Sequence, residues 1–126
     1  MTLDDVPFAK LLGIEVESIE AGHAVLSMPI RDDLKRNGGI AHGGAVATLI
    51  DSAMAFAIIP ILAENEQSVT VDLSIHYLRP LSEGSARASA RVVRAGKKVI
   101  TVSAELFDSQ EKLAATAIST YLRLSA

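Results

Sequence analysis

The segment that most limits the fold is Gly43–Leu62, GGAVATLIDSAMAFAIIPIL. It has no proline before Pro60 and a single charge, Asp51. Its apolar residues leave no polar stripe at helical spacing, so it reads as a helix buried on nearly every side. Pro60 sits where it would bend or stop that helix. Such a helix has to be enclosed by the rest of the chain.

The second half supplies the enclosing surface. Ser68–Tyr77 alternates, with Val69, Val71, Leu73, Ile75 and Tyr77 on one face and Thr70, Asp72, Ser74 and His76 on the other. Gly84–Ala95, Lys98–Asp108 and Leu113–Leu124 read as three further strands, joined by the turn around Ala95-Gly96-Lys97 and by DSQEK. Long strands with short connections make an antiparallel meander. Upstream, Ile14–Ser18 and His23–Pro29 flank a Glu20–Gly22 turn, and Ile30–Ala41 has no clean period and reads as a loop. At the N-terminus, Asp4 and Asp5 precede Phe8, Leu11 and Leu12 at helical spacing, and Gly13 closes the segment. That predicts one packing helix over Leu3–Leu12. The order implies an α+β chain in which a curved antiparallel sheet of about five to six strands wraps one long central helix.

With 126 residues the chain is expected to form a single domain, 1–126. The 12 basic and 15 acidic residues leave a net charge of −3, which does not favour nucleic acid as a partner. No cysteine is present, which excludes a disulfide framework, a thiolate nucleophile and cysteine-ligated metal. The start, MTLDDVPFAKLLG, lacks a basic region followed by an apolar core, and the run Ala53–Ala63 is short for a bilayer and follows Asp51. The expectation is a soluble, cytoplasmic protein without a membrane partner.

Chemistry concentrates in RNGGIAHGGAVATLIDSAMAF, residues 36–56. Glycines at the start of a helix let a ligand approach the backbone. The first helical amides lack internal partners and carry partial positive charge, which suits a carbonyl oxygen gaining negative charge. No GK[ST] follows His42-Gly43-Gly44, so this is not a phosphate loop. Asp51 lies nine residues beyond His42, about 900° around a helix and about 13 Å along it, so one copy cannot aim both at one atom. Either the two are unrelated, or the site combines His42 of one copy with Asp51 of another. Alternatively, Asp51 is a structural carboxylate bonded to Thr48 or to a loop. His23, His42 and His76 have no partners at metal-ligand spacing, and no GxSxG motif is present. No metal or redox cofactor is expected. Arg87, Arg91, Arg94, Lys97 and Lys98 form a modest basic group, ordinarily a solvated face, but able to bind phosphates.

HGGAVATLIDSA, VTVDLSIHYLRPL and VVRAGKKVITVSAELFD together resemble the hotdog-fold acyl-CoA thioesterases of the phenylacetic-acid-degradation (PaaI-like) and 4-hydroxybenzoyl-CoA thioesterase type, over about Phe8 to Leu124. The resemblance implies a hotdog fold with active sites between two subunits, in a homodimer or a tetramer of two dimers. It implies hydrolysis of an aryl or medium-chain acyl-CoA, with Asp51 as nucleophile or general base. The Gly43 amide would then polarise the thioester carbonyl, His42 would help position it, and Thr70 would lie near the attacking water. The family often carries Asn six residues before the His; that position here is Arg36, and Asn37 is carried over in its place. Arg91, Arg94, Lys97 and Lys98 would hold the CoA phosphates. The alternatives are a non-catalytic acyl-CoA-binding module of the same fold and, less well matched in its motifs, a dehydratase acting on 3-hydroxyacyl thioesters.

Overall fold

The computed structural model describes residues 2–125. Two strands, β1 (Glu15–Glu20) and β2 (His23–Pro29), precede the long helix α2 (Gly43–Ile58), which runs into a 3₁₀ turn at Ile59–Ile61 around Pro60. Four long strands follow: β3 (Glu66–Tyr77), β4 (Ser85–Ala95), β5 (Val99–Phe107) and β6 (Leu113–Ser125). All pairings are antiparallel, in the spatial order β1-β2-β4-β5-β6-β3. This is the hotdog arrangement, one helix lying in a curved sheet.

Side-chain size explains how closely helix and sheet pack. The sheet turns Ala24, Leu26 and Met28 of β2, Ala86, Ala88 and Ala90 of β4, and Ile100, Val102, Ala104 and Leu106 of β5 toward the helix. The alanine rows receive the larger Leu49, Ile50, Met54, Phe56 and Ile58 of α2, all essentially inaccessible to solvent. Burying each such side chain contributes about 1.5–3 kcal/mol. Gly43–Ile61 spans 19 residues, long and apolar enough to cross a membrane by length and composition; here it is the core helix of the sheet.

Two expectations need correction. Leu3–Leu12 is not one helix. Thr2 and Asp5 form a capping box on a 3₁₀ turn at Leu3–Asp5, and a separate short helix, α1, runs over Pro7–Leu11. Pro7 has no N–H to continue the first turn and instead opens the second element, where proline fits.

The second correction concerns β3, which does not alternate throughout. The register against β6 shifts between Thr70 and Asp72, so Val71 is the extra residue of a β-bulge and is 55% exposed. Asp72 Oδ1 accepts the Thr120 N–H at 3.0 Å, and Ser119 Oγ donates to the Asp72 carbonyl, which together pin the bulge. A bulge reverses the inward-outward phase along a strand. Thr70 therefore faces the helix together with Leu73, Ile75 and Tyr77, although Tyr77 lies seven positions on, an odd offset that regular alternation would place on the opposite face.

Candidate active site

The loop before α2 brings its N-terminus to the surface. After a 3₁₀ turn at Asp32–Leu34 the chain reverses through Gly38 and Gly39, with φ of +90° and +74°, values that β-carbon-bearing residues rarely adopt. Arg36 N–H bonds Ile40 O at 2.9 Å and His42 N–H bonds Leu34 O at 2.8 Å, which fixes the approach to the helix.

His42 is the N-cap. Its Nδ1 accepts the Gly44 N–H at 2.8 Å, which leaves Nε2 as the ring donor. The Ala45 and Val46 amides bond the His42 carbonyl at 3.0 and 3.3 Å. Among the described residues only the Gly43 amide of this first turn is left without an acceptor. A free, forward-pointing N–H at a helix start is the donor that a polarised carbonyl requires.

Gly43 borders a cleft of about 370 Å³ with Arg36, Ile40, Val46, Tyr77, Arg79 and Leu106 among its walls. Most of the lining is aliphatic, as expected of a ligand site. Tyr77 donates its hydroxyl to Gly43 O at 2.8 Å, and burial pushes its phenol above the ordinary value. His42 borders a second cleft of about 240 Å³ on the opposite side of the helix start, beside Phe8, Leu34 and Lys35.

Asp51 lies two helical turns further on. Its Oδ1 accepts from Thr70 Oγ1 at 2.9 Å and from the Tyr121 hydroxyl at 2.5 Å. That hydroxyl also lies 3.0 Å from the Asp51 carbonyl oxygen. Among the described residues nothing donates to Oδ2. The Tyr121 side chain is 1% exposed, and burial, followed by the neighbouring Asp51 carboxylate, pushes its phenol far above the ordinary value, so it stays a donor. Thr48, the alternative partner on the same helix, instead bonds Gly44 O at 2.8 Å.

The structure thus joins Asp51 to Thr70 and to Tyr121, and Gly43 to Tyr77. Within one copy it does not bring Gly43 and Asp51 together. Asn37 is exposed and accepts from Arg36 Nε at its carbonyl and side-chain oxygens, at 3.1 and 3.3 Å; the residue of this pair that borders the Gly43 cleft is Arg36. Arg91 lies opposite Ser103 and Arg94 opposite Thr101, with Lys97 and Lys98 in the following turn. Thr101 is five residues along β5 from Leu106 of the cleft wall, about 17 Å. Arg123 ties this basic turn to the far end of the helix through Gly96 O at 3.0 Å and Ile61 O at 3.3 Å. Among the described residues no three His, Cys, Asp or Glu side chains cluster as a metal would require.

Tyr77 and Tyr121, the only two tyrosines, were not singled out from the sequence. The available signal was a phenol ending the stripe Ala115, Ala117, Ser119 on β6, because a buried tyrosine hydroxyl needs a polar partner.

A profile of the thioesterase superfamily matches residues 38–115, which hold the helix start, Asp51, Thr70 and Tyr77. The chain belongs to the thioesterase superfamily. Among curated relatives of this thioesterase-superfamily protein, a protein of Saccharolobus solfataricus named as a candidate esterase is 34% identical over 113 residues, 90% of this chain and 75% of the relative. The medium/long-chain acyl-CoA thioesterase YigI of Escherichia coli is 27% identical over 93% of this chain and 85% of YigI. Among solved structures, the PaaI protein from the phenylacetic acid degradation operon of E. coli superposes with a TM-score of 0.87 at 27% identity, covering 95% of this chain and 86% of PaaI. This thioesterase-superfamily chain is therefore a hydrolase of the hotdog class.

Proposed function

We propose that the protein hydrolyses an aryl or medium-chain acyl-CoA, at a site shared between two copies. The observation that carries this reading is the pairing of one free helix-start amide, Gly43 N–H, with a helix carboxylate, Asp51, whose Oδ2 is unencumbered. The two lie eight residues apart on one helix, about 12 Å, too far to act on one carbonyl within a copy. Strand β3 carries Thr70 against Asp51 and Tyr77 against Gly43, and it is an unpaired edge of the sheet. An exposed edge of 12 residues invites a second strand. Antiparallel pairing of two β3 edges about a dyad sets the two α2 helices head to tail. Gly43 of one copy then approaches the middle of the other helix, and the basic turn at Arg94–Lys98 approaches the Gly43 cleft of its neighbour. Two such dimers would associate as a tetramer.

In this arrangement the Gly43 N–H donates to the thioester carbonyl oxygen as it gains charge. The partner's carboxylate, through Oδ2, either attacks the carbonyl carbon or takes a proton from a water that attacks it. The C–S bond breaks and the CoA sulfur leaves as thiolate and is protonated; after direct attack, water then cleaves the mixed anhydride formed with Asp51, freeing the acid and restoring the carboxylate, whereas after attack by water the acid leaves directly. His42 Nε2 and Thr70 orient the reacting groups, Asn37 lies in the loop over the helix start, and Arg91, Arg94, Lys97 and Lys98 receive the CoA phosphates. The names of YigI and of the PaaI operon support medium-chain and aryl acyl groups.

The test is CoA release from phenylacetyl-, benzoyl-, hexanoyl- and lauroyl-CoA by wild type and by Asp51→Asn. Wild type is expected to release CoA, and the folded variant to lose most of that activity. Equal release by both contradicts the role of Asp51. Binding without turnover by wild type favours the acyl-CoA-binding module instead.

A further inference from the structure

We infer that Tyr121 is the positioning residue of the site: its buried hydroxyl, with that of Thr70, holds Oδ1 of Asp51 and thereby presents Oδ2 as the reacting oxygen. The inference rests on the thioesterase reading of Asp51 and adds which of its two oxygens reacts and what aims it.

Geometry and burial carry the argument. An aspartate side chain on a helix turns about two torsions, so a single donor leaves its second oxygen able to swing. Here two donors from two different strands converge on the same oxygen, Thr70 Oγ1 from β3 at 2.9 Å and Tyr121 Oη from β6 at 2.5 Å. Thr70 and Tyr121 are themselves paired across the two strands, so the donors are set relative to each other by the backbone. Within a single copy Thr70 is open to solvent and its strand is the edge offered to the partner, whereas Tyr121 is already 1% exposed and cannot exchange its partner for water. Tyr121 is thus the rigid member of the pair. It lies two residues along β6 from Ser119, which holds the bulge that turns Thr70 inward. Bulge, threonine and tyrosine form one connected support for the carboxylate, and among the described residues Oδ2 receives neither of the two donors. Precise aim of a reacting group changes kcat more than KM, because binding of the rest of the substrate does not pass through it.

The test compares wild type, Asp51→Asn and Tyr121→Phe in CoA release, together with protein carrying 3-fluorotyrosine or 2,3,5-trifluorotyrosine inserted at position 121. Tyr121→Phe is expected to lower kcat about tenfold or more, with KM unchanged within about twofold. The fluorinated phenols keep ring and hydroxyl but donate more strongly, withdrawing charge from the carboxylate, so kcat falls stepwise with fluorination while the unfolding temperature does not fall. A purely structural tyrosine predicts no such series. An inactive Asp51→Asn beside a Tyr121→Phe with wild-type kcat overturns this inference alone. A fully active Asp51→Asn overturns the catalytic role of Asp51 and this inference with it. If Tyr121→Phe does not fold, the fluorotyrosine series decides: a flat kcat overturns the inference and a graded one supports it.

Discussion

Removing the Tyr121 hydroxyl isolates one hydrogen bond, because the ring, 1% exposed, keeps its packing in Tyr121→Phe. What is lost is one donor to the ionised Oδ1 of Asp51. Hydrogen bonds to charged groups contribute about 1.5–3 kcal/mol, and Asp51 is only half-buried with Thr70 still donating, so the lower end applies, about 1–2 kcal/mol. For a chain of this length that lowers the unfolding midpoint by roughly 3–8 °C. Asp51→Ala removes the acceptor instead. It loses both the Thr70 and the Tyr121 bonds to Oδ1, and the gain in helix propensity, up to about 0.7 kcal/mol, offsets only part of that, so this variant is expected about 1–2 kcal/mol less stable than wild type. In that background the Tyr121 hydroxyl keeps the carbonyl oxygen of residue 51 at 3.0 Å, and Tyr121→Phe should cost only about 0.5 kcal/mol. The double-mutant cycle, read by thermal or urea unfolding of the four proteins, should therefore show a coupling of about 1 kcal/mol. Additivity within about 0.3–0.5 kcal/mol would refute the contact between Tyr121 and Asp51.

Two further outcomes follow from the bulge and from the β5–β6 turn. Deleting Val71 removes the bulge but leaves Thr70 and Tyr77 facing the helix, at a cost below about 1 kcal/mol, whereas deleting Ser74 turns Tyr77 outward and His76 inward and costs about 3 kcal/mol or more; equal unfolding midpoints for the two deletions would contradict the phase argument. The Lys112 and Gln110 amides hold the Asp108 carboxyl below the usual carboxylate range. Its stabilisation is therefore complete above the unfolded pKa of about 4 and is lost as pH falls through the lower folded value. Wild type should exceed Asp108→Asn in unfolding temperature at pH 6, and the difference should shrink below about pH 4; a difference constant with pH would argue against that linkage.

The sequence revealed the elements that local pattern determines. The apolar helix at Gly43, its stop near Pro60 and the four long strands all follow from periodicity and breakers within a few residues. Two local misreadings also have local causes. Pro7 was read as part of a helix whose acids, Asp4 and Asp5, belong to a separate 3₁₀ turn. The alternation around Val69, Thr70 and Val71 looked regular because the bulge depends on Ser119 and Thr120, more than forty residues away. The site was legible in the same proportion. His42, Gly43 and Asp51 stood out because glycines and a lone carboxylate are unusual beside an apolar helix. Tyr121 did not, because its partner is 70 residues distant in the chain and only β6 and α2 packed together reveal it.

Mixing two crippled variants tests the shared site most directly. Gly43→Pro removes the open amide with little strain: proline suits the first helical position, His42 already has φ −63° and ψ 134°, and the nearest side-chain atom to an added Cβ, Tyr77 Oη, is 3.5 Å away. Asp51→Asn removes the carboxylate charge. Each variant alone should release CoA far more slowly than wild type. After subunit exchange half of the dimers pair the two variants, and each mixed dimer holds one intact site, so the mixture should recover about one quarter of wild-type CoA release. A mixture no more active than its two parents would contradict a site built from Gly43 of one copy and Asp51 of the other.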